Sequence, residues 1–149
     1  MASDRIGSIV AHFARNMSEE SINNTSFLII QSAIEIHRAL GPGLLERPYR
    51  TCMLYELGAR GLTVAVEQMI PVRYKSLVLE GGYRIDLLVQ DEVIVELKSV
   101  EVVLPVHHAQ VLSYLRLTGK QLGLLINFNV ARLVDGVDRI ANRLGFSAP

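Results

Sequence analysis

Two carboxylates and an amine lie near one another in the middle of the chain. Asp86 stands within Gly82-Tyr83-Arg84-Ile85-Asp86-Leu87-Leu88-Val89, and Glu96 and Lys98 within Val93-Ile94-Val95-Glu96-Leu97-Lys98. Both stretches read as strands joined by a short turn. Side chains alternate faces along a strand, so Glu96 and Lys98 share one face while Val93, Val95 and Leu97 take the other. Asp86 joins Glu96 and Lys98 in a register that sets it opposite Glu96, which requires an odd-numbered loop or a bulge. Directly opposed residues carry Cβ atoms roughly 4.5 to 5.5 Å apart. Two carboxylates that close, among valines and leucines, repel each other and resist losing water. A divalent cation relieves both costs, and Mg²⁺ suits an oxygen-only site because it keeps reactive waters. An ammonium such as Lys98 beside a metal-bound water orients it, favours hydroxide, or balances charge on a pentacovalent phosphate. The set suits phosphodiester hydrolysis. A salt-bridge cluster on a sheet edge uses the same residue types, and Glu-x-Lys triplets are common on exposed strands.

Further polar residues fall within reach. Arg84 shares the Asp86 face; it either pairs with Asp86 or Glu96 as a structural cation, or grips phosphate. His107, Gln110 and Tyr114 recur at steps of three and four and form one polar helical stripe, with Val111, Leu112 and Leu115 on the apolar face. That stripe is either a partly solvated helix side or a ligand-facing row, and His107 is a candidate for capping or core hydrogen bonding as well as for a ligand. Tyr49 and Tyr83 read as aromatics at the core edge. Gly41-Pro42-Gly43 lacks the Lys-Ser/Thr ending of a phosphate loop. Cys52 has no matching dyad and reads as a core residue. No serine sits in a nucleophile-elbow sequence.

The elements that must position these groups follow from periodicity. Residues 1 to about 24 form a mixed, polar extension with a short helix predicted from Ile6 to Met17. From Ser26 the pattern is helical, with Phe27, Ile30, Ile34 and His37 on one side, and Gly41-Pro42-Gly43 ends it. A second helix is predicted from near Pro48 to Arg60, with Met53, Leu54 and Leu57 inward and Gly61 as its cap. Strands follow over Val64–Tyr74, Leu79–Val89 and Val93–Lys98, with a turn near Lys75-Ser76 and a bulge or close backbone approach at Gly81-Gly82. Pro105 opens a helix that runs to about Leu117 and closes at Gly119. Leu122–Phe128 is an apolar run suited to a buried strand, and Val134–Leu144 is predicted as a final helix. The order α-α-β-β-β-α-β-α defines one α/β domain.

Bulk properties bound the partners. The chain has 149 residues, enough for one domain with a core of its own. Fifteen Lys and Arg balance fifteen Asp and Glu, so the broad basic surface of a protein that wraps nucleic acid is missing. Nucleic-acid contact must then come from a local patch or a partner chain. One cysteine excludes an internal disulfide and suits a reducing compartment. No run approaches the roughly 18 to 20 apolar residues of a membrane helix. The first residues lack the pattern of a secretory leader. A cytoplasmic protein is expected.

Several motifs in order carry a family likeness: Gly43-Leu44-Leu45-Glu46-Arg47-Pro48-Tyr49, Gly82–Val89, Val95–Lys98, Leu104-Pro105-Val106-His107-His108-Ala109-Gln110, and Leu124-Leu125-Ile126-Asn127-Phe128-Asn129. Over about residues 26 to 144 the chain resembles the bacterial GxxExxY proteins, a branch of the PD-(D/E)XK nuclease superfamily. The resemblance implies a restriction-endonuclease-like αβββαβ core, with a mixed sheet flanked by helices, in a domain over residues 25–149 behind an extension over 1–24. It also implies a site for Mg²⁺ (or Mn²⁺) held by Asp86, Glu96 and the Leu97 carbonyl, with Lys98 activating or positioning water and Glu46 completing the ligand set. By the same likeness Gln110 and Tyr114 lie beside the active site. Arg47-Pro48 departs from the family's pattern and moves the expected helix start to Pro48, close to which Glu46 is either a capping acid or a metal ligand.

Two functions compete. One is a Mg²⁺-dependent nuclease acting on nucleic acid, DNA ahead of RNA, with a homodimer or another protein as the platform that grips the duplex. The other is a catalytically idle nuclease-like module that binds nucleic acid or protein.

Overall fold

The computed structural model describes residues 2–143. It opens with one long helix, α1 (Ala2–Leu40), where two helices were expected. The polar stretch Asn23-Asn24-Thr25-Ser26 does not break it, because tertiary partners satisfy its side chains. Ser21 and Thr25 both donate to the Glu92 carboxylate, at 2.6 and 3.0 Å, and Arg139 donates to Ser26 Oγ and Asn23 Oδ1. The inward stripe of α1 is Ile22, Ile29, Ala33, Ile36 and His37, whereas Phe27 faces solvent, contrary to the periodicity reading. The next helix, α2 (Glu46–Ala59), starts two residues before Pro48 and buries Tyr49, Met53 and Leu57. Proline is tolerated there because first-turn N–H groups have no intrahelical acceptor.

A five-stranded sheet follows in the order β1-β2-β3-β4-β5. Strands β1 (Val64–Tyr74), β2 (Leu77–Val89) and β3 (Val93–Lys98) are antiparallel neighbours. Helix α3 (Pro105–Thr118) is the crossover that lets β4 (Leu122–Asn127) run parallel to β3. The expected bulge is present: Ile70 pairs with Tyr83 and Val72 with Leu79, so Glu80, Gly81 and Gly82 face Pro71 alone. Gly81 takes φ +81, which a side chain would resist, and Pro71 has no N–H to leave unpaired.

The final helix predicted at Val134–Leu144 does not form. A 3-10 turn at Leu133–Gly136 leads into strand β5 (Val137–Ala141), antiparallel to β4, and Leu144 lies outside the described residues. The physical reason is the edge of β4. With β5 in place that strand is buried along its whole length, and without it the apolar strand would be an open edge of unpaired N–H and C=O groups. Sheet completion outweighs a weak helical period.

The sheet separates two cores. On one side α1 and α2 pack against Leu87, Val89, Val93, Val95, Leu97, Leu124 and Ile126. On the other, Val111, Tyr114 and Leu115 of α3 pack against Ile85, Leu88, Ile94 and Leu125. The run α2-β1-β2-β3-α3-β4 gives the expected αβββαβ core.

Candidate active site

The β2–β3 register decides where the carboxylates meet. Val89 pairs with Val93, Leu88 with Ile94 and Leu87 with Val95, across a three-residue loop. One step further sets Asp86 opposite Glu96, as the odd loop length requires, but the ladder stops there. Instead Asp86 Oδ2 accepts the N–H of Leu97 at 2.9 Å. The ladder on its other edge is also interrupted: Glu67, opposite Asp86 on β1, takes φ +50 and leaves the pairing between Val66 and Gln68. Asp86 therefore sits where both flanking ladders open, and its side chain replaces a backbone acceptor. β3 continues alone beside β4, with Glu96 opposite Leu125 and Lys98 opposite Asn127.

The site's electrostatics are unusual for a sheet. Glu96 is only 6 % exposed, and its Oε2 is buried with no hydrogen-bond partner. Lys98 Nζ stands 4.0 Å from Glu96 Oε1. Burial, then the neighbouring Asp86 charge, pushes the Glu96 carboxyl up to about 8, against the opposing pull of Lys98. An exposed salt-bridge cluster would do none of this. An orphaned buried carboxylate oxygen beside a second carboxylate fits a hard divalent cation, as does the oxygen-only donor set with the Leu97 carbonyl. Among the described residues no cluster of three or more His, Cys, Asp or Glu side chains offers a closed metal cage. Two carboxylates suffice for Mg²⁺, which dehydrates reluctantly and retains several waters.

Helix α3 borders this pair. Gln110 Nε2 donates to the Tyr114 hydroxyl at 2.7 Å. Tyr114 is buried rather than part of an exposed stripe, and its pKa is raised by that burial and next by the charge of Glu96, which places its hydroxyl in the field of the carboxylates. Tyr83 meets Tyr114 edge to face, with ring centroids 6.2 Å apart. His107 closes the N-terminus of α3: its Nδ1 accepts the Leu104 N–H at 3.0 Å while its backbone N–H donates to the Leu104 carbonyl at 2.9 Å. The capping role thus holds, and it leaves the ring proton on Nε2. Arg84 is largely exposed and stands 4.0 Å from Glu67, so the cation partner of Glu96 is Lys98 and not Arg84.

Glu46 is exposed in the first turn of α2, where an acid favours the helix dipole. The loop before it is pinned. The Tyr49 hydroxyl donates to the Gly41 carbonyl and accepts the Leu44 N–H, and the Tyr49 ring stacks on Phe128 at 4.2 Å. Ser99 Oγ donates to the Leu44 carbonyl, which ties this loop to the residue after Lys98. Sequence reasoning assigned no role to Ser99 or Asn127. Asn127 is buried; its Oδ1 accepts from Val100 and Asn129, and its Nδ2 donates to the Val100 carbonyl. It clamps the segment that leaves the site. The available signal was an amide inside the apolar run Leu122–Phe128.

The fold and the placement of an Asp and a Glu-x-Lys on adjoining central strands together define a class. The model of the PD-(D/E)XK nuclease superfamily matches residues 23–140. The chain belongs to that superfamily, and its helix-flanked mixed sheet is consistent with the restriction-endonuclease-like fold. Membership suggests nuclease activity and nucleic acid as partner, and nucleases of this superfamily generally use divalent metals. No curated protein and no solved structure matches the chain. No described helix is long and apolar enough to cross a membrane.

Proposed function

We propose that this chain is a Mg²⁺-dependent nuclease, served also by Mn²⁺, that hydrolyses phosphodiester bonds in nucleic acid, DNA ahead of RNA. The observation that carries the reading is the buried, unpartnered Oε2 of Glu96 beside Asp86, with Lys98 4.0 Å from the same carboxylate. Asp86, Glu96 and the Leu97 carbonyl would hold the cation, with Glu46 the candidate to complete the set. Such an ion acidifies water and polarises the scissile phosphate. The chain's own groups do the rest. The Leu97 N–H fixes the Asp86 carboxylate, and the Lys98 ammonium orients water and offsets charge that grows on phosphorus-bound oxygens. Gln110 and Tyr114, already joined, orient the bound nucleic acid; Arg84 and His107 flank its path.

Tyr49 and the pinned Gly41–Leu45 loop support the GxxExxY likeness, since the last motif residue, Tyr49, ties down Gly41 and Leu44 on either side of the first, Gly43. The nuclease-like domain is assigned to residues 25–149 and the extension to 1–24, acting in the cytoplasm. A homodimer is supported by α1, which exposes Ile6, Ile9, Val10, Phe13 and Met17. At helical spacing these share one side, while Asp4, Arg5, His12, Arg15 and Glu19 take the other. That mixed polar face lacks the Lys and Arg excess of a membrane-surface helix.

The test is cleavage of end-labelled DNA and RNA by pure protein with Mg²⁺ or Mn²⁺, beside Asp86→Ala and Lys98→Ala. Each variant is expected to lose about a hundredfold or more in rate; undiminished cutting by both would assign the activity to a contaminant. The idle-module reading is favoured by the zero net charge. Calorimetry decides it: no affinity for either cation at millimolar concentration would support the idle module.

A further inference from the structure

We propose that the cavity between α3 and the β1–β2 hairpin receives one unstacked nucleobase, so that the protein acts on unpaired nucleotides rather than within intact duplex. This deepens the nuclease reading and rests on it. The cavity measures about 620 Å³ and is lined by Tyr83, Val106, His107, Gln110, Tyr114 and Leu117, among others. That volume falls within the roughly 300 to 1,000 Å³ of small-ligand pockets and is ample for a base with its sugar. Its link to the carboxylates is Tyr114, which stands in its wall and whose hydroxyl feels the charges of Glu96 and Asp86, although neither carboxylate lines the cavity.

The lining suits a base better than a phosphate. Val106 and Leu117 give apolar walls. Tyr83 is 47 % exposed, and an edge-to-face pair with Tyr114 leaves it without a parallel ring partner, so a π-face is open for stacking. Polar groups are present for the base edge, and Ser113 and Arg116 also line the cavity. His107 has committed Nδ1 to its cap and offers Nε2–H, while Gln110 gives one amide hydrogen to Tyr114 and keeps its second N–H and its carbonyl oxygen. Such a mix of donors and acceptors can meet the edge of any base without strict sequence choice.

Charge supports the same occupant. Fifteen cationic and fifteen anionic side chains leave little long-range attraction for a duplex backbone. Stacking adds affinity that the net charge does not supply, and a base inside a duplex is unavailable unless it is flipped at an energetic cost. Single strands, flaps and frayed ends present bases already free.

The experiment uses the full chain in EDTA, so that binding is read without cleavage. An oligodeoxythymidylate carrying one 2-aminopurine is titrated with protein, alongside the same label in a blunt duplex. Saturable quenching is expected for the single strand, with duplex binding at least ~10-fold weaker. Tyr83→Ala should weaken single-strand binding by roughly five- to a hundredfold, the range for loss of one aromatic stack. Val106→Trp, at an exposed rim position that tolerates bulk, should block quenching while leaving the circular dichroism spectrum unchanged. Duplex bound as tightly as single strand, or quenching unaltered in both variants, would overturn the proposal. The two readings fail separately. A protein that quenches as described but cuts nothing with Mg²⁺ or Mn²⁺ retains the base pocket and loses the nuclease. One that cuts duplex and single strand alike, with Tyr83→Ala unaffected, retains the nuclease and loses the pocket.

Discussion

Glu96 combines in one side chain the conflict that the site exists to resolve. Its carboxyl is buried, faces Asp86 and is held up to about 8 from an ordinary 4.5. Because the folded state keeps this proton to higher pH than the unfolded chain, its contribution to folding is complete below about 4.5 and is lost as pH rises through about 8. The metal-free protein should therefore lose stability across that window, as read by denaturant midpoints at several pH values. Glu96→Gln, which is neutral throughout, should flatten the profile and be the more stable protein at its alkaline end. An equal slope in both would mean that another group titrates. Divalent-ion binding should release a proton below pH 8 and tighten as pH rises, because the cation competes for the ionised form.

At the scale of elements, the precision of the site depends on β4 and its clamp. Gly136 ends the 3-10 turn against β4, where an added Cβ would stand 2.2 Å from the Asn127 carbonyl oxygen. That neighbour is backbone at the end of β4 and cannot rotate away. Gly136→Ala is expected to cost about 3 kcal/mol, a fall of roughly 6 to 12 °C in Tm for a chain of this size. It should also shift the amide resonances of Val100, since Asn127 holds that residue by two hydrogen bonds. A melting curve that overlays the wild type would contradict the described packing of this turn.

The whole molecule presents an apolar stripe on α1 that a monomer leaves wet. Five large side chains at more than half exposure on one side of a helix make an apolar patch of the kind that marks an interaction site. Pairing with a second copy would bury it and give a neutral, short chain two sites on one platform. Sedimentation at micromolar concentration should show a dimer, and Phe13→Asp a monomer with an unchanged far-ultraviolet spectrum. A wild-type chain that sediments as a monomer would leave the stripe to some other partner.

Local sequence determined much of this protein. Strand alternation set Glu96 and Lys98 on one face, Gly81-Gly82 marked the bulge, Pro105 and Gly119 bounded α3, and a three-residue loop fixed the register that brings Asp86 to Glu96. These features are encoded within a few residues of one another, which is why they are legible. Tertiary structure decided the rest. Asn23–Ser26 stays helical because Glu92 and Arg139 reach it from far along the chain, and residues 137–141 become a strand because β4 needs an edge partner. The unpartnered Oε2 of Glu96 exists only because α3 and the sheet close over it. Burial and long-range partners are properties of the assembled chain, and no window of sequence contains them.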